Sequence, residues 1–176
     1  MRRTRSNGTV HTQPLSIPTS TVIMPPMAIE KSFVMLKPGV LQRRIAGEII
    51  GRLENKGFKI VAMKLMKIDE SLAKRHYAEH DGKPFFNDLV GYITSGPVLA
   101  MVVSGESAIS RIRLLAGATK VEDAQPGTIR GDYAAVTTKN IIHASDSPES
   151  ASREIELFFS LDEIVEYQDP NDVWTV

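Results

Sequence analysis

From Lys31 onward, short apolar runs alternate with segments of helical spacing, and this alternation restricts the chain to a small sheet covered by helices. Ser32-Phe33-Val34-Met35-Leu36 reads as a buried strand ended by Lys37-Pro38-Gly39. Leu41, Ile45, Ile49 and Leu53 then recur at every fourth position, with Asn55-Lys56-Gly57 as a stop, which predicts an amphipathic helix. The run from Phe58 to Ile68 is rich in Ile, Val, Met and Leu and predicts a strand covered on both faces. Helices are predicted over 70–79 and 84–94, a third strand over 97–103, and a helix over 106–116 closed by Gly117. A long loop punctuated by Gly and Pro runs to about Gly131, and loops of that length are usually functional or mobile. A last pair of short apolar runs leads to His143 and a final helix with Ala151, Ile155 and Phe158 on one face. The order predicts an α/β sandwich.

A length of 176 residues allows one domain with a tail. The formal net charge is zero, so nothing global favours nucleic acid, and any affinity for phosphate must come from a local cluster of bases. The absence of cysteine removes disulfides and thiolate metal sites and fits a reducing compartment. No apolar run approaches the roughly twenty residues of a membrane span. Residues 1–27 carry Arg2, Arg3 and Arg5, frequent Ser and Thr, four prolines and no acidic residue. They are expected to form a flexible extension ahead of a domain over 28–176, either an upstream addition or an organellar transit peptide.

The chemistry concentrates in Asn140-Ile141-Ile142-His143-Ala144-Ser145-Asp146-Ser147. Ile141-Ile142 reads as a buried strand, and Asp146 or Ser147 followed by Pro148-Glu149 reads as the N-cap and first turn of a helix. His143 therefore stands between a rigid strand and a helix N-terminus whose free N–H groups favour anions, a suitable place to accept a phosphoryl group. A lone histidine after a strand is more often a satisfied core residue, and a lone Lys37, Arg113 or Arg130 is more often a solvated base. No Gly-x-x-x-x-Gly-Lys-Ser/Thr loop is present, so side chains would have to neutralise any phosphate charge.

The stretch resembles the active-site signature of nucleoside diphosphate kinases, Asn-x-x-His-(Gly/Ala)-Ser-Asp. Its companions occur in order: Lys37-Pro38, Gln42-Arg43, Arg75-His76-Tyr77, Pro84-Phe85-Phe86, Ser95-Gly96-Pro97, Gly117-Ala118-Thr119 and Pro126 through Asp132. The resemblance runs from about Ile29 to the C-terminus and implies a ferredoxin-like βαββαβ core with a four-stranded antiparallel sheet. It implies transfer of the γ-phosphate of ATP or another nucleoside triphosphate to a nucleoside diphosphate, by ping-pong catalysis through phosphohistidine at His143 Nδ1. By the same resemblance Lys37, Arg113, Thr119 and Arg130 contact phosphates, and Asn140 shares the sugar hydroxyl with Lys37. Phe85 stacks on the base with Leu89 nearby, Tyr77 stands beside the lysine, and Ser145 and Glu154 orient the histidine. Mg²⁺ is implied as a bridge between substrate phosphates with no protein cage. A cytoplasmic homo-oligomer, a hexamer or tetramer built from dimers, is the accompanying expectation, with no membrane and no specific nucleic acid as partner.

Some positions depart from the pattern. The usual Lys-Pro-Asp-Gly-Val-Gln-Arg reads Lys37-Pro38-Gly39-Val40-Leu41-Gln42-Arg43, which puts the turn's conformation in question. Arg44 stands where glycine is common, Ala144 replaces the commoner glycine after the histidine, and Val121 replaces a frequent proline in the loop. His76 and His80, four apart in a predicted helix, are read as a solvated face rather than a metal grip. The alternative to an enzyme is a non-catalytic nucleotide- or partner-binding module on the same fold. Loss of His143, Lys37 or Arg130 would have favoured it, and all three are present.

Overall fold

The computed structural model describes residues 28–168. The tail over 1–27, with its targeting alternative, lies outside the described residues. Strand β1 is Ile29–Leu36, β2 Lys59–Lys67, β3 Pro97–Glu106 and β4 Ile142–Ala144. They form one antiparallel sheet in the order β2-β3-β1-β4, the arrangement of a ferredoxin-like core. The helices are α1 Ala46–Asn55, α2 Glu70–His76, α3 Phe86–Thr94, α4 Ala108–Ala116, α5 Ile129–Tyr133 and α6 Pro148–Phe158.

The central strands β1 and β3 are apolar on both sides because two separate cores flank them. Val34, Leu36, Met101 and Val103 pack beneath Ile49 and Leu53 of α1 and Ile112 of α4. Phe33, Met35, Ala100 and Val102 pack on the opposite face with Ala73 of α2, Val90 and Ile93 of α3 and Phe158 of α6. Strand alternation thus divides consecutive β1 residues between the two layers, and Lys37 follows Phe33 and Met35 on the second. The register Met35↔His143 brings β4 alongside, so the ends of β1 and β4 open together on that face.

Several expected boundaries are overturned. The first helix starts at Ala46 rather than near Leu41, because residues 38–44 form turns. There Arg43 N–H donates to the Gly39 carbonyl at 2.9 Å and Arg44 N–H to the Leu41 carbonyl at 3.0 Å. The turn questioned at Gly39 is formed: Gly39 takes φ +99°, a conformation glycine adopts without cost, and its N–H donates to Gln42 Oε1 at 2.9 Å. Strand β2 is not covered on both faces. It lies at the sheet edge, the α1/α4 layer reaches it only at Ile60, and Met63 and Leu65 are 46% and 64% exposed. The helix expected over 70–79 ends at His76 and gives way to a 3₁₀ turn over 78–80.

Of the last pair of short apolar runs, expected as strands, only one forms a strand, β4, and the end of the long loop folds as helix α5. Thr128 caps α5, its side chain accepting from Gly131 N–H. Ile141 lies outside β4 at φ +56°, where a β-branched residue is strained. Ile142 N–H donates back to the Asn140 carbonyl at 2.7 Å, which closes a γ-turn around it. The Ile141 carbonyl accepts from Lys37 N–H at 2.8 Å, tying the turn to the end of β1.

Candidate active site

The γ-turn and the β4 register aim His143 into a cleft of about 630 Å³ between α2, α3, the loop after α4 and the start of α6. Lys37, Tyr77, Phe85, Leu89, Arg113, Thr119, Arg130, Asn140, His143 and Glu154 line it. Of the site residues expected from the sequence, only Ser145 does not line the cleft. It sits behind as a support, buried, accepting from Phe33 N–H at 3.1 Å and donating to Glu154 Oε2 at 2.7 Å.

Helix α6 begins where Ser147 caps it, its Oγ accepting from Ser150 N–H at 3.1 Å, with Pro148 at the first helical position. Two turns later Glu154 points back under β4. It is 5% exposed, and its Oε1 lies 2.9 Å from His143 Nε2. With Nε2–H donating to the carboxylate, the Nδ1 lone pair is the free nitrogen of the neutral ring. Ser145 satisfies the second carboxylate oxygen, so the dyad is fixed from behind.

The cationic wall comes from three elements. Lys37 Nζ donates to Asn140 Oδ1 at 2.8 Å, and the Asn140 amide donates to the Thr119 carbonyl at 3.2 Å, so β1, the γ-turn and the loop are joined. Burial, and then the neighbouring Arg130 guanidinium, bring Lys37 down to about 7. Arg130 is held by the Gly117 carbonyl at 2.6 Å and the Ile142 carbonyl at 2.8 Å. Burial and the nearby Arg113 lower it to about 10, and its Nε has no partner. Arg113 donates to the Ala144 carbonyl at 3.3 Å. Three bases with so little anionic compensation, Lys37 partly discharged by burial and Arg130 desolvated while still charged, form a site that gains by receiving a polyanion.

At the other end Phe85 is 47% exposed, so it is not the core aromatic its type usually signifies. Its ring lies 5.7 Å from that of His80, with Lys83 Nζ 5.9 Å above it, and Leu89 is alongside in the cleft. Tyr77 is buried with no partner for its hydroxyl, and burial pushes that hydroxyl up.

The reading of His76 and His80 as a solvated helix face is overturned. The helix ends at His76, so His80 leaves the expected i+4 position and bonds Lys83 Nζ at 3.1 Å. His76 is 6% exposed, and burial, then His143, then the nearby bases lower it to about 2. Its ring stands 4.7 Å from that of His143, nearly perpendicular. The overlooked signal was phase: Ala73, His76 and Tyr77 share the buried face of α2 at i, i+3 and i+4. Lys120, Ser150 and Arg153 also line the cleft, and no sequence motif marked them.

Carboxylates in the cleft are already engaged: Glu79 by Arg153 at 2.5 Å, Asp146 by Ser150, and Glu154 by Ser145 and His143. This donor set suits a Mg²⁺ carried in on substrate phosphates rather than a protein cage.

A model of the family described as nucleoside diphosphate kinase matches residues 30–164. The chain belongs to the nucleoside diphosphate kinase family. Among its relatives, the nucleoside diphosphate kinase of Methanobrevibacter smithii is 63% identical over 140 residues, covering 80% of this chain and 93% of that one. That of Treponema pallidum is 58% identical over 145 residues, covering 82% and 97%. The structure of a halophilic nucleoside diphosphate kinase from Halobacterium salinarum in complex with CDP superposes with a TM-score of 0.82 at 50% identity, over 85% of this chain and 99% of that one. A Babesia bovis protein of this family gives 0.80 at 40% identity, over 84% and 99%. The antiparallel sheet with helices on both faces is the fold that this chain has in common with these solved structures.

Proposed function

We propose that this chain regenerates nucleoside triphosphates by passing a γ-phosphoryl group through His143. The carrying observation is the His143 Nε2 to Glu154 Oε1 contact at 2.9 Å, which leaves Nδ1 facing a cleft lined with bases. In the first half-reaction the Nδ1–P bond forms as the bond from phosphorus to the β–γ bridging oxygen breaks, and the nucleoside diphosphate leaves. The second half-reaction reverses these changes on a different diphosphate, which maintains pools of nucleoside and deoxynucleoside triphosphates.

Lys37, Arg113 and Arg130 neutralise the phosphate oxygens, and Thr119 hydrogen-bonds them from the loop. Asn140, already bonded to Lys37, meets the sugar hydroxyl. Phe85 offers its exposed face to the base with Leu89 beside it, and stacking of this kind does not select among bases. Tyr77 packs beside the site and Ser145 holds Glu154. Mg²⁺ bound to the substrate phosphates supplies further charge neutralisation and a fixed phosphate geometry. The exposed Met63 and Leu65 on edge strand β2 support self-association, as a hexamer or tetramer of dimers. Among the described residues no helix is long and apolar enough to cross a membrane. The kinship with bacterial and archaeal nucleoside diphosphate kinases supports a place in the cytoplasm for the domain over 28–176.

Brief incubation with MgATP followed by intact-mass measurement tests this. One acid-labile phosphoryl adduct is expected, absent in His143→Ala and discharged by a second nucleoside diphosphate. A folded protein that acquires no adduct would overturn the proposal in favour of a binding module.

A further inference from the structure

His76 is an unused donor beside the nucleophile. Both of its ring nitrogens lack any hydrogen-bond partner although the residue is buried, and its ring borders the cleft. Buried polar atoms are rarely left so. Its Nδ1 is 3.9 Å from Glu154 Oε1, the same oxygen that His143 Nε2 approaches at 2.9 Å. One donor atom from each of His76, His143 and Glu154 lies within 4.8 Å of the other two.

We infer that His76, His143 and Glu154 form a binding site for a borderline-soft divalent ion of the Zn²⁺ type, and that occupancy switches the nucleophile off. Two imidazoles and a carboxylate with a fourth position open to the cleft are the donor set such ions favour in open sites. Donors about 2.0–2.2 Å from an ion stand a little over 3 Å apart, so the 2.9 Å contact opens slightly and the 3.9 Å one closes by side-chain rotation. The supporting partner of a ligating carboxylate is present too, since Ser145 Oγ donates to Glu154 Oε2 at 2.7 Å. Lys37, Arg113 and Arg130 along the cleft suit an anionic fourth ligand. Mg²⁺, which prefers oxygen and water, does not compete for this set.

The switch follows from the tautomer. With Nε2–H donating to Glu154, Nδ1 holds the lone pair that attacks phosphorus. An ion on Nε2 takes that lone pair instead, and the ring hydrogen moves through solvent to Nδ1. The neutral ring keeps one hydrogen throughout, and the nucleophilic nitrogen is capped by it. Metal binding at Nε2 therefore blocks phosphorylation of the free ring at Nδ1.

The site is tested without nucleotide, by titrating the full chain with Co²⁺ and recording its visible d–d bands, and with Zn²⁺ by calorimetry. One ion per chain with the band intensity of a tetrahedral site is expected. His76→Phe and His76→Gln should each weaken binding by more than about 100-fold, since loss of even an outer partner costs about 10–100-fold, whereas His80→Asn should bind as the parent does. Either His76 variant suffices if the other misfolds, as judged by circular dichroism. Absence of a one-to-one site in the parent, or unchanged bands in a folded His76 variant, would overturn the inference. Because the switching effect rests on the proposed kinase mechanism, it is read separately, as loss of the phosphoryl adduct with one equivalent of Zn²⁺ and its return with chelator. Binding without this loss would remove the switch and leave the site.

Discussion

Glu154→Gln isolates the orienting role of the carboxylate, because the amide has the same shape and leaves the packing of α6 intact. In the parent, Glu154 accepts from both sides, from His143 Nε2 at 2.9 Å and Ser145 Oγ at 2.7 Å. An amide accepts on one side only. If its oxygen faces Ser145, its NH₂ faces His143 and requires a lone pair on Nε2, which places the hydrogen on Nδ1 and disables the ring. If the oxygen faces His143, Ser145 must accept from the NH₂ while its Oγ already accepts from Phe33 N–H. The productive orientation also loses the charge on the acceptor. A hydrogen bond to a charged partner contributes about 1.5–3 kcal/mol, which corresponds to about 10- to 150-fold in rate. Rapid-quench measurement of phosphohistidine formation in a single turnover should show a fall of that size. Affinity for nucleoside diphosphate should change little, since the loss falls on the transition state rather than the ground state. A phosphorylation rate indistinguishable from the parent's would refute the assignment of Glu154 as the residue that sets the tautomer.

Two further outcomes follow from single residues. Arg44 is exposed at φ +57° and its side chain makes no hydrogen bond or ion pair among the described residues, so Arg44→Gly removes strain of about 1–2 kcal/mol against an added unfolded-state entropy of about 0.5–1 kcal/mol. The urea midpoint should rise with an unchanged slope, by about 0.5–1 kcal/mol in stability, and a lowered midpoint would contradict the strain argument. Lys37, brought to about 7, is about nine-tenths neutral at pH 8 in the free protein. A bound polyphosphate restores its charge, so nucleotide binding at pH 8 should take up close to one proton and at pH 6 almost none. Calorimetry in buffers of different ionisation enthalpy reads this directly, and equal uptake at both values would rule it out. As the folded value lies below the ordinary 10.5, the unfolded chain binds more protons between about 7 and 10.5, and the Lys37 contribution to stability rises with pH across that window.

Much of this was present in the order of residues. Alternating apolar runs located β1, β3 and every helix but α5, since burial on one face or both leaves its period in the chain. The active-site motif and its companions named ten residues that now line one cleft and Ser145 behind them, and His143, Lys37 and Arg130 stood out because their neighbours had the right types at the right spacing.

What the tertiary structure decided was how neighbours in space override neighbours in sequence. The apolar period of β2 could not reveal that its strand lies at the edge, where Met63 and Leu65 meet no covering helix. Nothing local marks Ile141 for a left-handed turn; the bond from Lys37 N–H to its carbonyl and the β4 register impose it, and surrounding contacts offset the strain. The two histidines four residues apart suggested each other as partners. Folding separates them by ending α2 at His76, then buries that ring against His143 and Glu154, residues more than sixty positions away, because a helix face is assigned by what packs on it rather than by the types along it.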